Sequence, residues 1–223
     1  MEENIYKRFY YEMCRHTETV RRKTYLRNQI IFERDVKSDG MYYIIKGMVK
    51  IFSLMSDGSE RSFTILSSPN VFGESETFDE GPRMVSAKAY GGETEIVCWT
   101  KSEIMEVISR HPDMASLIIR ILASKLRCLT FREEDFMSRS LECRICNILI
   151  HHDRYMLYPG QADTYICITH DELANIIGST RVKVTEKLKK LSKMGFIKTE
   201  RGKIKIYDMD GLRKYLSILE GSC

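Results

Sequence analysis

Residues 168–206 read ITHDELANIIGSTRVKVTEKLKKLSKMGFIKTERGKIKI, and this stretch decides how the whole chain is interpreted. Thr169 and Glu172 have the spacing of a capping box, in which side chains and backbone amides satisfy one another at the start of a helix. Gly178 stands where a left-handed residue ends that helix, and Ser179 can cap a second helix from Thr180 to about Met194. Two helices joined by such a tight glycine turn predict a helix-turn-helix.

The second of these helices is predicted to have one buried face and one basic face. Val184, Leu188 and Leu191 fall at positions i, i+4 and i+7, so we expect them to face the core. Residues 196–207 then read FIKTERGKIKIY, which predicts two short strands that form a basic wing. A recognition helix presents its first turns to base edges and its later lysines to phosphates. The predicted DNA contacts are Thr169, Ser179, Thr180, Arg181, Lys183, Thr185, Glu186, Lys190 and Lys203.

Positive charge is concentrated in the same part of the chain. Residues 181–205 hold ten Lys or Arg against Glu186 and Glu200, a net +8, so the rest of the chain carries 4 − 8 = −4. A basic face on an otherwise slightly acidic protein is typical of a protein that binds the phosphate backbone. Ordinary helical hairpins share parts of this pattern, but the cap, the glycine turn, the basic face and the basic hairpin together favour DNA binding.

Composition excludes several other classes of protein. The chain has 223 residues, 43% of them hydrophobic, and it contains no apolar run near the 18 or so residues that span a membrane. It shows no signal-peptide pattern, so we expect a cytoplasmic protein. No nucleophile motif, P-loop or dinucleotide fingerprint points to an enzyme.

Upstream of the helix-turn-helix, the pattern changes twice. Residues from about 20 to 100 contain short alternating runs between turn signals such as Asp57-Gly58, which predicts a small antiparallel β-barrel or sandwich. From Pro112 to about Met137, apolar residues recur every three or four positions, which predicts one long helix. Its apolar stripe packs either against the β domain or in a coiled-coil-like homodimer seam, and its length favours the seam. The predicted dimerisation residues are Leu117, Ile118, Ile121, Leu122 and Leu129.

Residues 168–213, together with this order of parts, resemble the winged helix-turn-helix regulators of the cyclic-AMP receptor protein and FNR family. The resemblance implies an α+β chain: a β-roll of the cyclic-nucleotide-binding type (1–110), a dimerisation helix (111–138) and a winged helix-turn-helix domain (139–223). It further implies a homodimer on a two-fold DNA operator, control by a small effector, and RNA polymerase as a partner. The family's recognition helix commonly carries a glutamate and a second arginine where this chain has Val182 and Glu186. Glu186 is expected either to accept from cytosine or to pair with a nearby lysine.

Residues 71–89, VFGESETFDEGPRMVSAKA, resemble the family's phosphate-binding cassette. The resemblance implies that Gly73 lets the backbone approach the ligand, that Glu74 takes a ribose hydroxyl, and that an arginine neutralises a cyclic phosphate. The alignment places Met84 at the arginine's position, with Arg83 one residue early, so we expect an effector other than cyclic AMP. The predicted effector site comprises Gly73, Glu74, Ser75, Arg83, Met84, Val85 and Ser86.

The seven cysteines allow a thiol-based alternative, in which the protein binds DNA without an effector or under redox control and the β-roll is mainly a scaffold. Cys143 and Cys146 have dithiol spacing, although on a helix both can simply pack as small apolar groups. An iron–sulfur site needs several cysteines clustered near the N-terminus, and only Cys14 lies early. We therefore expect no iron–sulfur cluster, haem or metal site.

Overall fold

The structure is a computed structural model, and it describes residues 4–18, 20–138, 140–152 and 165–221. The chain divides into two compact units, residues 1–61 with 65–126 and residues 62–64 with 127–223. The predicted three-part division stays a prediction. Within the described residues, no helix is both long enough and apolar enough to span a bilayer.

The first unit contains the following elements: α1 (Ile5–His16), β1 (Arg21–Tyr25), β2 (Ile30–Phe32), β3 (Met41–Leu54), β4 (Glu60–Ser67), β5 (Asn70–Phe72), α2 (Glu74–Asp79), β6 (Ser86–Trp99) and α3 (Lys101–Arg110). The long helix α4 (Asp113–Ser138) starts in this unit and ends in the second. The second unit continues with α5 (Leu141–Ile150), β7 (Tyr165–Ile166), α6 (His170–Ile176), α7 (Arg181–Lys193), β8 (Ile197–Glu200), β9 (Lys203–Ile206) and α8 (Met209–Glu220).

An antiparallel six-stranded sheet forms the body of the first unit, as the alternating runs predict. Its strands run in the order β1-β6-β3-β4, with β2 paired to β6 and β5 paired to β3. The core between this sheet and the helices holds Trp99, whose ring meets that of Phe9 edge to face at a centroid distance of 5.9 Å. The predicted turn at Asp57-Gly58 joins β3 to β4, and Gly58 has the positive φ (79°) that such a turn requires.

Helix α4 begins and ends within one residue of its predicted bounds, but its faces are divided differently from the prediction. Leu117, Ile118 and Ile121 are buried in the core of the first unit. Their assignment to a dimer seam is therefore corrected, because side chains buried within one chain are not free to contact a second copy. Leu122 is partly buried and packs against the same core. Leu129 is 58% exposed and remains open to a partner.

The second unit is built around the helix-turn-helix. Helices α5 to α8 and the sheet β7-β9-β8 enclose one apolar core, to which Val184, Leu188 and Leu191 contribute. Gly178 has a φ of 64° and ends α6 as predicted, while a Cβ atom placed there would lie 2.4 Å from Cε2 of Phe136. The N-cap of α7 is Thr180 and not Ser179, since the Thr180 side chain accepts from the backbone amide of Lys183.

Candidate nucleic-acid interface and effector cassette

The first helix of the pair, α6, is held at its start by the predicted capping box. Thr169 Oγ1 accepts a hydrogen bond from the Glu172 amide at 3.2 Å, and the Glu172 carboxylate accepts from the Thr169 amide at 3.0 Å. The Thr169 hydroxyl also donates to this carboxylate at 2.7 Å. The Thr169 side chain is thus used inside the chain, where it fixes the start of α6.

The outer face of α7 is defined by its spacing from the buried face. Val184, Leu188 and Leu191 are fully buried. On the opposite side, Val182, Glu186, Lys189 and Lys193 follow one another at i, i+4, i+7 and i+11, and all four are exposed. This outer row combines an apolar side chain, a carboxylate and two ammonium groups. Glu186 makes no ion pair among the described residues, where the lysines of α7 that are paired contact Glu142 instead.

A groove of about 400 Å³ lies next to the start of α7, between residues of α6, α7 and the wing. The groove is lined by Thr169, His170, Asp171, Arg181, Glu200, Arg201 and Gly202. The Nδ1 atom of His170 lies 2.9 Å from Thr185 Oγ1, so the predicted base contact Thr185 is hydrogen-bonded within the domain. Burial, reinforced by the charge of Arg181, lowers the pKa of His170 below its usual 6.5. Arg181 is exposed beside this groove and is free to contact DNA.

A buried carboxylate under α7 engages two of its lysines. Glu142 on α5 lies 2.8 Å from the ammonium group of Lys190 and 3.3 Å from that of Lys187, and it accepts a hydrogen bond from Tyr215 at 2.6 Å. Burial alone would raise the pKa of Glu142, but hydrogen bonds from Lys190, Tyr215 and Lys187 outweigh it, and the net shift is downward. Lys190 is therefore paired with α5 in the free protein while its side chain stays 50% exposed, and its predicted phosphate contact stays a prediction.

The predicted wing is present, and its lysines are paired with its own acid. Glu200 lies 3.4 Å from the ammonium group of Lys198 and 3.5 Å from that of Lys203. Lys203 also lies over the ring of Tyr165, at 5.3 Å from the centroid. Arg201, at the tip, is exposed and makes no ion pair among the described residues. Arg201 is therefore less engaged by other groups of the chain than the predicted DNA contact Lys203.

The remaining predicted DNA contacts lie at the start of α7. Thr180 and Lys183 are exposed, whereas Ser179 is half-buried in the turn. Together with Arg181 and Glu186, Thr180 and Lys183 are the predicted contacts that are exposed and make no ion pair among the described residues, whereas Lys190 and Lys203 are exposed but paired with acids of the chain. Lys189, Lys193 and Arg201 are basic and exposed as well, although they are outside the predicted set.

The cassette in the first unit is organised around Arg83, which is fully buried. Its guanidinium donates to the carbonyl oxygens of Gly73 at 2.9 Å and Gly40 at 2.6 Å, and to the Asp39 carboxylate at 2.8 Å. The Glu76 carboxylate lies 3.5 Å away on another side. Gly73 is needed because a Cβ atom at that position would lie 2.6 Å from Nη1 of Arg83. The close approach that the sequence assigns to a ligand is made by the arginine itself.

Most of the hydrogen-bond donors that this cassette could offer to a cyclic phosphate are already engaged within the chain. The Nη1 and Nη2 donors of Arg83 already face two carboxylates and two carbonyl oxygens, its buried Nε has no hydrogen-bond partner among the described residues, and residues 74–80 contribute four acids. Arg83, which the sequence places one residue before the expected arginine position, lies outside β6, since that strand begins at Ser86. The Nη atoms of Arg83 are unavailable to a phosphate because they already donate to groups of the chain. Among the other predicted effector residues, Ser75 and Met84 are exposed, Val85 is half-buried and Ser86 is buried.

The cysteines in the described residues are free thiols, and Cys223 lies outside those residues. Cys143 and Cys146 are both buried in the second unit's core. Burial raises the pKa of Cys146 to about 12, so its reactive thiolate form is scarce near neutral pH. No cluster of His, Cys, Asp or Glu in the described part of the chain is arranged to hold a metal ion.

A surface-mounted basic helix followed by a β wing defines the class of winged helix-turn-helix DNA-binding proteins. A family described as "Crp-like helix-turn-helix domain" matches residues 143–215, and one described as "Cyclic nucleotide-binding domain" matches residues 22–111. The CRP-like cAMP-activated global transcriptional regulator of Mycobacterium tuberculosis is 28% identical over 193 residues, or 84% of each chain. The global nitrogen regulator of Synechocystis is 25% identical over 190 residues, or 83% of this chain and 84% of that one.

Solved structures show the same fold. FixK2 from Bradyrhizobium japonicum superposes with a TM-score of 0.74 at 18% identity, over 88% of this chain and 96% of that one. The chain belongs to the Crp/Fnr family of transcription regulators, which are not enzymes.

Proposed function

We propose that the protein is a homodimeric transcription regulator that binds a two-fold symmetric operator and acts on RNA polymerase at the neighbouring promoter, in the bacterial cytoplasm. The observation that carries the proposal is the exposed surface at the start of α7, where Arg181 and Lys183 stand beside the uncommitted acid Glu186. Arginine is suited to guanine or phosphate, and a carboxylate can accept from the amino group of cytosine. A carboxylate amid cations has little use in phosphate binding alone, so it favours base recognition.

The DNA-binding proposal is tested by fluorescence anisotropy on the duplex upstream of the protein's own gene. We expect Arg181→Ala to weaken binding to the specific duplex by about tenfold or more, since a good arginine–base contact is worth about 1–3 kcal/mol. Arg110→Ala is the matched control, because it removes the same charge from the surface of the first unit. Equal effects of the two variants, or wild-type binding that is insensitive to salt, would count against the proposal.

The exposed face of α4 supports assembly with a second copy. Ile119, Leu126 and Leu129 are 63%, 65% and 58% exposed. Positions 119 and 126 are one heptad apart, and 129 follows three residues later, which is the spacing of a coiled-coil seam. Two copies joined along this seam would present two recognition helices, and a two-fold operator needs half-sites about 34 Å apart.

Sedimentation of the purified protein at micromolar concentration tests the seam. We expect a dimer for the wild type and a monomer for Leu126→Lys, because a lysine in an apolar seam is costly to bury. Leu54→Lys is the control, since Leu54 on β3 is equally exposed at 62% but lies off α4. A wild-type monomer, or a dimer that survives Leu126→Lys, would overturn this assignment.

For the β-roll we propose control by a small effector other than cyclic AMP. The match to the cyclic-nucleotide-binding family supports an effector domain, and the engaged Nη1 and Nη2 donors of Arg83 argue against a cyclic phosphate. The same filled cassette favours a second candidate, in which the β-roll is a scaffold that needs no effector. The buried Cys143 and Cys146 lend no support to a thiol switch. Operator binding by extensively dialysed protein would favour the scaffold, whereas binding restored only by a deproteinised extract of the host cells would favour the effector.

A further inference from the structure

A second buried ion pair links the cassette to the long helix. Lys125 on α4 places its ammonium group 2.6 Å from Oε1 of Glu74, the first residue of α2. The same ammonium group donates to the carbonyl oxygen of Val71 on β5 at 2.7 Å. Both side chains are largely buried, at 8% exposed for Glu74 and 15% for Lys125. One helix thereby reaches the strand and the helix on either side of Gly73.

The charges around this pair are balanced only when Lys125 is in place. Oε2 of Glu74 is buried and has no hydrogen-bond partner in the described part of the chain. Because a buried carboxylate without a counter-charge is strongly destabilising, Glu74 depends on Lys125. Arg83 does not take its place, since both Nη atoms of its guanidinium are engaged by Asp39 and by the carbonyl oxygens of Gly40 and Gly73.

We propose that Lys125 is a built-in strut: it closes the cassette against cyclic nucleotides and fixes α4 to it without a ligand. To bind here, a cyclic phosphate would have to displace Lys125 from Glu74, or Arg83 from Asp39 and Glu76. Either displacement leaves a buried acid, Glu74 or Glu76, without its cation. The contact therefore ties the cassette to α4 in the ligand-free protein. Its influence on DNA binding rests on the regulator function proposed above, whereas closure to nucleotides does not.

The closure is tested by titration calorimetry of the full chain with cyclic AMP and cyclic GMP. We expect no binding heat and no rise in Tm at millimolar nucleotide. Saturable binding of either nucleotide, with the rise in Tm that a native-state ligand produces, would overturn the proposal. This measurement decides the point even if the protein binds no DNA, so the two proposals fail separately.

The strut is tested by Lys125→Met against Lys101→Met. Lys101 also pairs with a cassette acid, Glu80, but that acid is 73% exposed at the surface. We expect Lys125→Met to lower Tm by roughly 10 °C and Lys101→Met to leave it nearly unchanged, since breaking a buried pair costs far more than breaking a surface one. Equal values for the two variants would contradict the burial argument.

A double variant separates coupling from stability. Lys125→Met combined with Glu74→Gln removes both charges, so the fold should recover most of the lost Tm. Because it lacks the strut, the double variant is expected to bind the operator about tenfold more weakly than the wild type at a temperature where both are folded. An operator affinity equal to that of the wild type would show that α4 does not need this contact, and would overturn the coupling role.

Discussion

Lys189 and Lys190 are adjacent in the sequence, but their substitution by alanine should weaken the protein in different ways. Lys190 is held 2.8 Å from Glu142, whereas Lys189 is exposed on the outer row of α7 and makes no ion pair among the described residues. We expect Lys189 to neutralise a DNA phosphate, and we expect Lys190 to contribute mainly to the stability of its own domain.

The size of the Lys189 effect follows from counterion release. Each phosphate contact contributes about −0.9 to the slope of log K against log salt, so a dimer with two copies of Lys189→Ala should lose about 1.8 from that slope. If the binding constants of variant and wild type are equal at about 1 M salt, then at about 0.15 M salt one lost contact lowers the binding constant about 5-fold and two lower it about 30-fold. Lys190→Ala should leave the slope within about 0.5 of the wild type.

Fluorescence anisotropy with the operator duplex at several salt concentrations measures both slopes. Thermal unfolding supplies the complementary readout: Lys190→Ala should lower Tm slightly, because Glu142 keeps Lys187 and Tyr215, while Lys189→Ala should not. If Lys190→Ala changed the slope as much as Lys189→Ala, the ion pair with Glu142 would have to open on DNA, and the assignment from the free protein would be refuted.

Three further outcomes test the second unit. Glu142→Gln should lower the free energy of unfolding by about 2 kcal/mol at pH 7. Because the pKa of Glu142 is lowered in the folded protein, its contribution is present above the usual value of 4.5 and is lost as the pH falls through the folded pKa. Urea unfolding at pH 4 and below should therefore show a smaller difference in stability between the wild type and the variant. Leu188→Ala, at a fully buried anchor of α7, should cost about 2–5 kcal/mol in denaturant unfolding, and a cost under about 1 kcal/mol would mean that the helix is not anchored there. Operator affinity should be the same under oxidising and reducing conditions, both in the wild type and in a variant with Cys143 and Cys146 replaced by Ser, since both thiols are buried. An affinity that depends on redox conditions in the wild type but not in the variant would support a thiol switch.

The sequence was most informative where local chemistry acts through fixed spacing. The Thr169 and Glu172 capping box, the left-handed Gly178 and the three anchors of α7 each depend on residues a few positions apart, and all are found as predicted. The assignment of the N-cap to Ser179 was wrong by one residue, because Ser and Thr at adjacent positions are both good caps and only the backbone decides between them.

Interactions between distant parts of the chain were not predictable in this way. Glu142 precedes Lys190 by 48 positions, and no local sequence pattern predicts that the two side chains form an ion pair. Lys125 likewise reaches Glu74 across the fold. For α4, the apolar period correctly predicts a helix, but two apolar faces overlap in it, and spacing alone does not tell which one the sheet covers.

Glu186 has a consequence for how a regulator finds its site among a large excess of ordinary sequence. Its exposed carboxylate lies in the same row as two lysines, so any stretch of duplex that offers it only phosphate oxygens is met with repulsion. Where a cytosine amino group is within reach, the same charge becomes an attraction. In the proposed complex, Glu186 therefore shortens the time spent at wrong sequences and lengthens the time spent at the right one, and the neighbouring cations alone could not make that distinction.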